Sequence, residues 1–148
     1  MQLDQALVEA AIDQMRRRWP SGEQVGAAAV YLASGQILTS VCLPNMHGGA
    51  SLCHEAGAYC QAYTMNQRIT ASACVSWEPD SQRILILAPC GICQERLALW
   101  GPTVEVAVPA ADDPTAWETR TLADVNPYFW ARAYAAGVWP SQEMHEGR

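Results

Sequence analysis

The chain has 148 residues, 50% of them hydrophobic and 16% charged, a balance that excludes intrinsic disorder and fits one globular domain spanning residues 1–148. Nine basic residues stand against fifteen acidic ones, so the net charge is −6. Proteins that bind nucleic acid gain much of their affinity by neutralising phosphates, so this charge argues against a nucleic-acid partner.

The N-terminal twenty residues mix acidic, basic and apolar side chains and lack the apolar centre of a secretory signal. No stretch of the sequence is apolar enough to predict a membrane span. Six cysteines in a chain without a signal favour thiols, either buried or bound to metal, over disulfides. We therefore expect a cytoplasmic protein with no membrane partner.

The first predicted element is a helix from about Asp4 to Trp19, where apolar residues recur at spacings of three and four. Apolar runs and turn signals predict the elements that follow. In chain order they are strands at 24–33 and 36–43, a glycine-rich loop at 44–50, a helix at 52–67, strands at 71–77 and 83–88, a helix at 90–100, a strand at 103–108, a loop at 110–121, a helical turn at 122–125 and a helix at 129–136. This order predicts an α/β fold in which helices cover both faces of a mixed sheet.

A pair of cysteines, Cys90 and Cys93, follows Pro89 at the start of a predicted helix. This spacing places both sulfurs on one helical face, where the free backbone N–H groups stabilise thiolates. The pair alone is compatible with a redox site, with half of a structural zinc site or with part of a catalytic metal site. A redox pair usually follows the first strand of its fold, whereas this pair follows a later strand.

A third thiol and a carboxylate come from Cys53 and Glu55, at the start of an earlier predicted helix. The stretch from Cys53 to Cys90 is long enough to bring two helix starts side by side. Three protein ligands leave the fourth position of Zn²⁺ open for water, as in catalytic sites. Glu55 could then carry protons between that water and a substrate. The remaining thiols, Cys42, Cys60 and Cys74, are interpreted as buried apolar side chains.

Together, the segments Cys53-His54-Glu55 and Pro89-Cys90-Gly91-Ile92-Cys93 resemble the paired motif of the cytidine deaminase superfamily. The branch they resemble contains small single-domain cytidine deaminases and blasticidin S deaminases, and the segment from Leu122 to Trp130 resembles the tail of that branch. The resemblance implies a three-layer α/β/α sandwich with a five-stranded mixed sheet. It also implies a homo-oligomer, either a tetramer or a dimer.

The resemblance further implies one Zn²⁺ per chain, held by Cys53, Cys90 and Cys93, with Glu55 as the proton shuttle. The implied reaction is hydrolytic: metal-bound hydroxide attacks C4 of a cytosine nucleoside or related aminated pyrimidine, and ammonia leaves. The substrate itself stays open among cytidine, deoxycytidine, a cytosine-containing antibiotic and other aminated heterocycles. The alternative function is a zinc-stabilised structural or regulatory domain of the same fold without deaminase activity, and a redox protein comes third.

Several positions depart from the family pattern. His54 stands where small cytidine deaminases commonly carry Ala, and Ala56 and Gln94 stand where arginines are frequent. Three thiolates on one Zn²⁺ leave a charge of about −1, which such arginines offset. The candidates for that role here are Arg96, His54 and backbone N–H groups.

Four residues are candidate substrate contacts. Asn45 is the nearest match to the family's ribose-binding asparagine, although the acid of that motif is missing and a turn role fits equally well. His54 lies between a ligand and the catalytic carboxylate. Phe129 and Trp130 could stack on a base in a neighbouring subunit's site, or they could pack at a subunit interface.

Overall fold

The computed structural model describes residues 2–21, 25–134 and 137–139. The described residues form helices and strands that alternate along the chain. These are α1 (Gln5–Arg18), β1 (Gly26–Leu32), β2 (Ile37–Val41), α2 (Ala56–Thr64), β3 (Ile69–Glu78), β4 (Arg83–Leu87), α3 (Gly91–Leu97), β5 (Glu105–Ala110), β6 (Asp113–Thr121) and α4 (Leu122–Val125). Short 3₁₀ turns occupy Gly48–Ala50, Ala98–Trp100 and Trp130–Ala133.

All six strands form one mixed sheet with the order β2-β1-β3-β5-β6. Strand β3 is antiparallel to β1 along one edge. Its other edge is shared: β4 pairs antiparallel with Cys74–Glu78, and β5 pairs parallel with Ala71 and Ser72. The predicted mixed sheet is therefore confirmed, and β3 is its most extensively paired strand.

Helices cover both faces of this sheet, which confirms the predicted three-layer α/β/α architecture. Every residue of β1 is buried, as expected for a strand covered on both sides. Ala29 and Tyr31 pack in the cluster that includes the apolar side chains of α1. Val30 and Leu32, which point the other way, pack in the cluster that includes α2 and α3. The second cluster contains Cys93 and therefore borders the predicted metal site.

A predicted loop and a predicted helix start were wrong. The loop predicted at 110–121 contains β6, which pairs antiparallel with β5 and brings the sheet from five strands to six. The acidic and proline-containing start of that segment indicated a loop, and its mostly exposed residues gave no apolar alternation. Helix α2 starts at Ala56, so Cys53, His54 and Glu55 lie in the turn before it.

The predicted C-terminal helix at 129–136 is a 3₁₀ turn at Trp130–Ala133, and positions 135 and 136 lie outside the described residues. The helical turn predicted at 122–125 is confirmed as α4, with a reciprocal cap between Thr121 and Asp124. Among the helices that the structure describes, none is both long and apolar enough to cross a bilayer.

Candidate active site

Three thiols from two distant parts of the chain meet at one point. Cys53 lies in the turn before α2, Cys90 is the N-cap of α3 and Cys93 lies in its first turn. Their sulfur atoms all lie within 4.8 Å of one another, and the Cys53 and Cys90 sulfurs are 3.5 Å apart. A tetrahedral zinc site with Zn–S bonds of about 2.3 Å separates its sulfurs by roughly 3.8 Å. The three thiols therefore fit one zinc ion.

Local hydrogen bonds fix the two segments that carry these thiols. Leu43 and Leu52 exchange two backbone hydrogen bonds that close the glycine-rich loop just before Cys53. The hydroxyl of Ser40, on β2, donates to the carbonyl oxygen of His54 at 2.5 Å and so holds the turn against the sheet. In the other segment, the side-chain amide of Gln94 donates to the carbonyl oxygen of Pro89 at 2.9 Å.

A buried carboxylate stands beside the thiols. Glu55 is only 3% exposed, and the Cys93 thiol donates to its Oε2 at 3.3 Å. A carboxylate with so little contact with water is rare unless a partner stabilises its charge. Glu55 is therefore placed as a group that could exchange protons next to a cation on the three sulfurs.

The thiols differ in acidity. Burial raises the pKa of Cys93, and the charge of Glu55 and the hydrogen bond to it raise it further. Burial also raises the pKa of Cys53. At Cys90 burial acts in the same direction, but hydrogen bonds from the backbone of Cys93, from Cys53 and from the backbone of Ile92 outweigh it and lower the pKa. A carboxylate and three thiols this close need a counter-charge to ionise together.

An open pocket of about 280 Å³ borders this group. This volume is near the lower end of the range for small-molecule sites, about 300–1,000 Å³. Two cavities of about 290 and 330 Å³ lie elsewhere and contain neither cysteine nor histidine, so size alone does not select the site. The pocket beside Glu55 has mainly apolar walls, which include Cys42, Leu52, Cys74, Leu87 and Ala88.

His54 lines the same pocket and packs against β1. A Cβ at Gly26 would lie within contact distance of the His54 ring, so the glycine leaves the space that the imidazole occupies. Nε2 of His54 is buried and has no hydrogen-bond partner among the described residues. Burial lowers the pKa of His54, and the negative charge of Glu55 partly opposes this.

Comparison with solved structures identifies the family. No protein-family model matches the chain, and no curated protein compared with it matches either. The crystal structure of a cytidine deaminase from Bacillus anthracis superposes with a TM-score of 0.79 at 32% identity, covering 96% of this chain and 95% of the other. The chain belongs to the cytidine deaminase superfamily.

Further cytidine deaminases share the fold. The enzyme from Burkholderia pseudomallei is 25% identical over 86% of this chain and 98% of its own, with a TM-score of 0.66. That from Mycobacterium tuberculosis is 22% identical over 87% of this chain and 98% of its own, with a TM-score of 0.64. The superfamily predicted from the paired motifs is thus confirmed, whereas the branch within the cytidine deaminases stays a prediction.

In this cytidine deaminase-family chain, Asn45 lies on the exposed glycine-rich loop. Its side-chain amide donates to the carbonyl oxygens of Leu43 and Ala50, at 3.3 and 3.0 Å, and its backbone N–H donates to Ser51. Asn45 is not among the residues that line the pocket. Its observed role is to brace the loop, and contact with a substrate stays a prediction.

The two aromatic candidates also lie away from the pocket of their own chain. Phe129 is buried and stacks on Trp139, with ring centroids 4.7 Å apart. Trp130 is exposed, and its indole N–H donates to Glu95 at 2.7 Å. Their predicted contact is with a neighbouring subunit's site, and it stays a prediction.

Two further thiols lie at the candidate active site, although the sequence analysis did not assign them to it. Cys42 and Cys74, interpreted as buried apolar side chains, both line the pocket of this deaminase-family chain. Burial and then the charge of Glu55 raise the pKa of Cys74 well above its usual value. The register of β3 and β4 sets Cys74 opposite Leu87, just before the second cysteine motif, and no local feature of the sequence reveals this pairing. The burial predicted for Cys60 was wrong, because Cys60 is exposed on α2, and Cys42 is only half-buried.

Proposed function

We propose that the chain is a zinc-dependent hydrolytic deaminase of a cytosine nucleoside or a related aminated pyrimidine. One observation carries the proposal: the sulfurs of Cys53, Cys90 and Cys93 converge beside the buried carboxylate of Glu55, at the side of a pocket. Membership of the superfamily, and neighbours that are cytidine deaminases, support hydrolytic deamination as the class of reaction.

Cys53, Cys90 and Cys93 would hold the zinc ion, since soft thiolate donors select Zn²⁺ over Mg²⁺ or Ca²⁺. When bound, zinc lowers the pKa of a water molecule towards neutrality and so supplies a nucleophile. The hydrogen bonds that lower the pKa of Cys90 favour its thiolate, the form that binds metal. Three protein ligands would leave one coordination position free for this water.

Glu55 moves the protons of the reaction. Hydrolysis adds water across the C4–N bond of the ring and releases ammonia, so a proton must reach the ring nitrogen and another must reach the departing amine. The Glu55 carboxylate takes one proton from the attacking water and passes it to the ring nitrogen, and it then takes the second proton from the new C4 hydroxyl and passes it to the amine. Its burial beside Cys93 keeps the carboxylate in one place and limits proton exchange with bulk water.

The pocket walls suit an uncharged aromatic ring. Leu52, Leu87 and Ala88 present apolar surface to the pocket next to the thiols. The described residues that line it include neither Lys nor Arg, the side chains that commonly bind phosphate. A free base or nucleoside therefore fits this pocket better than a phosphorylated nucleotide.

A panel of cytosine compounds tests the proposal. The purified protein, with its zinc content measured, is mixed with cytosine, cytidine, deoxycytidine, cytidine monophosphate and a cytosine-containing antibiotic. Ammonia release and loss of ultraviolet absorbance report turnover. We expect release from at least one uncharged compound, and none from the monophosphate.

The alternative is a zinc-stabilised structural or regulatory domain. Two substitutions favour it: Ala56 and Gln94 stand where related enzymes often carry arginines that offset the charge of the thiolates. A chain that holds one zinc ion and releases ammonia from no compound of the panel would favour this alternative.

Replacing the proposed proton carrier separates metal binding from catalysis. We expect Glu55→Gln, which keeps the volume of the buried side chain, to retain one zinc per chain while kcat falls by about 10²–10⁴-fold. The measurements are zinc content and kcat on the best compound of the panel.

The matched control is Glu9→Gln, which removes an exposed carboxylate on α1 and should leave kcat unchanged. Near-normal turnover in Glu55→Gln would reject the role assigned to this carboxylate.

A further inference from the structure

A second group of metal-ligating side chains adjoins the three thiols. His54, Glu55 and Cys74 each offer one ligand atom, and these atoms lie within 4.8 Å of one another. The turn before α2 supplies His54 and Glu55, whereas Cys74 comes from β3. Nε2 of His54 is buried and has no hydrogen-bond partner among the described residues, so the His54 ring has a buried nitrogen that no other group satisfies.

We propose that His54, Glu55 and Cys74 form a second Zn²⁺ site, which fills when zinc exceeds one ion per chain and which inhibits the enzyme. The inhibition rests on the proposed function, because it concerns the proton-carrying role of Glu55. Binding of the ion rests only on the three ligands and their surroundings.

The donor set suits zinc. An imidazole nitrogen, a carboxylate oxygen and a thiolate sulfur are the three donors that zinc uses most, whereas Mg²⁺ and Ca²⁺ prefer sites built from oxygen alone. Binding would displace the proton of the Cys74 thiol, because zinc is bound by the thiolate. Three protein ligands again leave room for water.

The surroundings attract a further cation. Three thiolates on one Zn²⁺ leave a charge of about −1, and the adjacent Glu55 carboxylate adds another negative charge. Cys42 is the other ionisable group that lines the pocket, and the described lining residues contribute no Lys or Arg. Opposite charges attract, so a second Zn²⁺ would offset this negative charge.

Glu55 belongs to both groups, and this sharing predicts inhibition. An ion held by His54 and Cys74 would bind the carboxylate that the proposed mechanism uses for protons. Both residues also line the pocket, so the ion would occupy space that the substrate needs. Alanine, the residue common at position 54 in small cytidine deaminases, has no side-chain atom that could bind this ion.

Equilibrium dialysis measures the second ion directly. The full chain is dialysed against Zn²⁺ from substoichiometric amounts to a large excess, and the zinc bound per chain is determined by atomic emission. We expect two ions per chain in the natural protein and one in both His54→Ala and Cys74→Ala. Because Cys74 is buried and its replacement could impair folding, His54→Ala provides the independent variant.

Two matched variants control for loss of any histidine or cysteine. His47 and Cys60 are exposed and do not belong to the cluster, so His47→Ala and Cys60→Ser should still bind two ions. Excess zinc should inhibit these controls and the natural protein alike. In His54→Ala, the inhibitory zinc concentration should rise by at least about tenfold, since even losing a group that only hydrogen-bonds to a metal ligand costs about 10–100-fold in metal affinity.

The possible failures are distinguishable. A natural protein that saturates at one zinc ion would overturn the second site and leave the proposed function standing. Retention of two ions in both His54→Ala and Cys74→Ala would also overturn it, since the second ion would then lie elsewhere. A chain that binds no zinc would overturn the proposed function together with this inference.

Discussion

At the scale of single residues, the absence of one side chain makes room for another. Gly26 is the first residue of β1, and it has no side chain to pack against its neighbours. A Cβ at this position would lie 2.6 Å from the carbonyl oxygen of Val75 and still closer to Nε2 of His54. The close approach of β3 and of the His54 ring therefore explains why glycine stands here, and it links β1 to the pocket.

Filling this space should be costly. We expect Gly26→Ala to lower the free energy of unfolding by about 1–3 kcal/mol, the usual cost of forcing extra atoms into a packed site. Urea unfolding of the metal-loaded protein measures the loss. In a His54→Ala background part of the loss should be recovered, whereas the clash with the Val75 carbonyl should remain.

Gly48→Ala is the matched control, because a Cβ there has no neighbour within 4 Å. Equal stability of Gly26→Ala and Gly48→Ala would show that β1 has more room than the distances allow.

The residues of the proposed zinc site were predictable because their spacing is local. Cys90 and Cys93 are one helical turn apart, and Glu55 follows Cys53 by two positions, so short-range geometry decides how each pair is presented. Cys74 was missed because its position depends on how β3 pairs with β4, and strand register is a long-range property.

At the scale of elements, α1 shows how a cap defines a predicted helix. The side chain of Asp4 accepts a hydrogen bond from the backbone N–H of Leu7 at 3.0 Å. It also accepts one from the hydroxyl of Tyr31, on β1, at 3.0 Å. One carboxylate therefore starts the helix and fastens it to the sheet, close to where the sequence predicted the helix to begin.

Loss of this cap should be measurable. We expect Asp4→Ala to lower the free energy of unfolding by about 1–2 kcal/mol, because the N–H of Leu7 and the Tyr31 hydroxyl both lose their partner. Asp4→Asn should retain most of the stability, since its amide oxygen can still accept.

Asp13→Ala controls for the charge, as Asp13 is exposed in the same helix. Denaturant midpoints give the comparison. A loss in Asp13→Ala as large as that in Asp4→Ala would point to net charge rather than to capping.

Strand β6 and the start of α2 show where the prediction of elements failed. Residues of β6 are mostly exposed or half-buried, so the strand depends on hydrogen bonds to β5 rather than on an apolar pattern. The sequence predicts helix at 53–55 because the side chains there continue the pattern of α2. Both errors arise where tertiary contacts outweigh local preference.

At the scale of the whole molecule, zinc would join segments that the sequence separates. The turn before α2 and the start of α3 would share one ion through Cys53 and Cys90, and both segments pack on the same face of the sheet. Ligands brought together only in the folded chain convert metal affinity into stability.

Metal removal should therefore destabilise the fold. We expect a chelator to lower the melting temperature by several degrees or more and added zinc to restore it, measured by circular dichroism. Cys90→Ala should bind zinc more weakly at the three-thiol site, and chelator should lower its melting temperature by less than that of the natural protein.

Cys60→Ser is the control, because it removes an exposed thiol outside the cluster and should respond to chelator like the natural protein. A melting temperature that chelation leaves unchanged would contradict a structural contribution from zinc.

The shared edge of β3 has a consequence for how this protein can evolve. Cys74 sits opposite Leu87, while its neighbours Ala73 and Val75 pack on the α1 side. The number of residues that connect β3 to β4 therefore decides whether Cys74 and Leu87 face the pocket together. Substitutions in the short connection at 79–82 leave that number unchanged. Inserting or deleting a single residue there would turn the wrong face of one strand towards the pocket, so descendants of this chain should vary in the composition of the connection but not in its length.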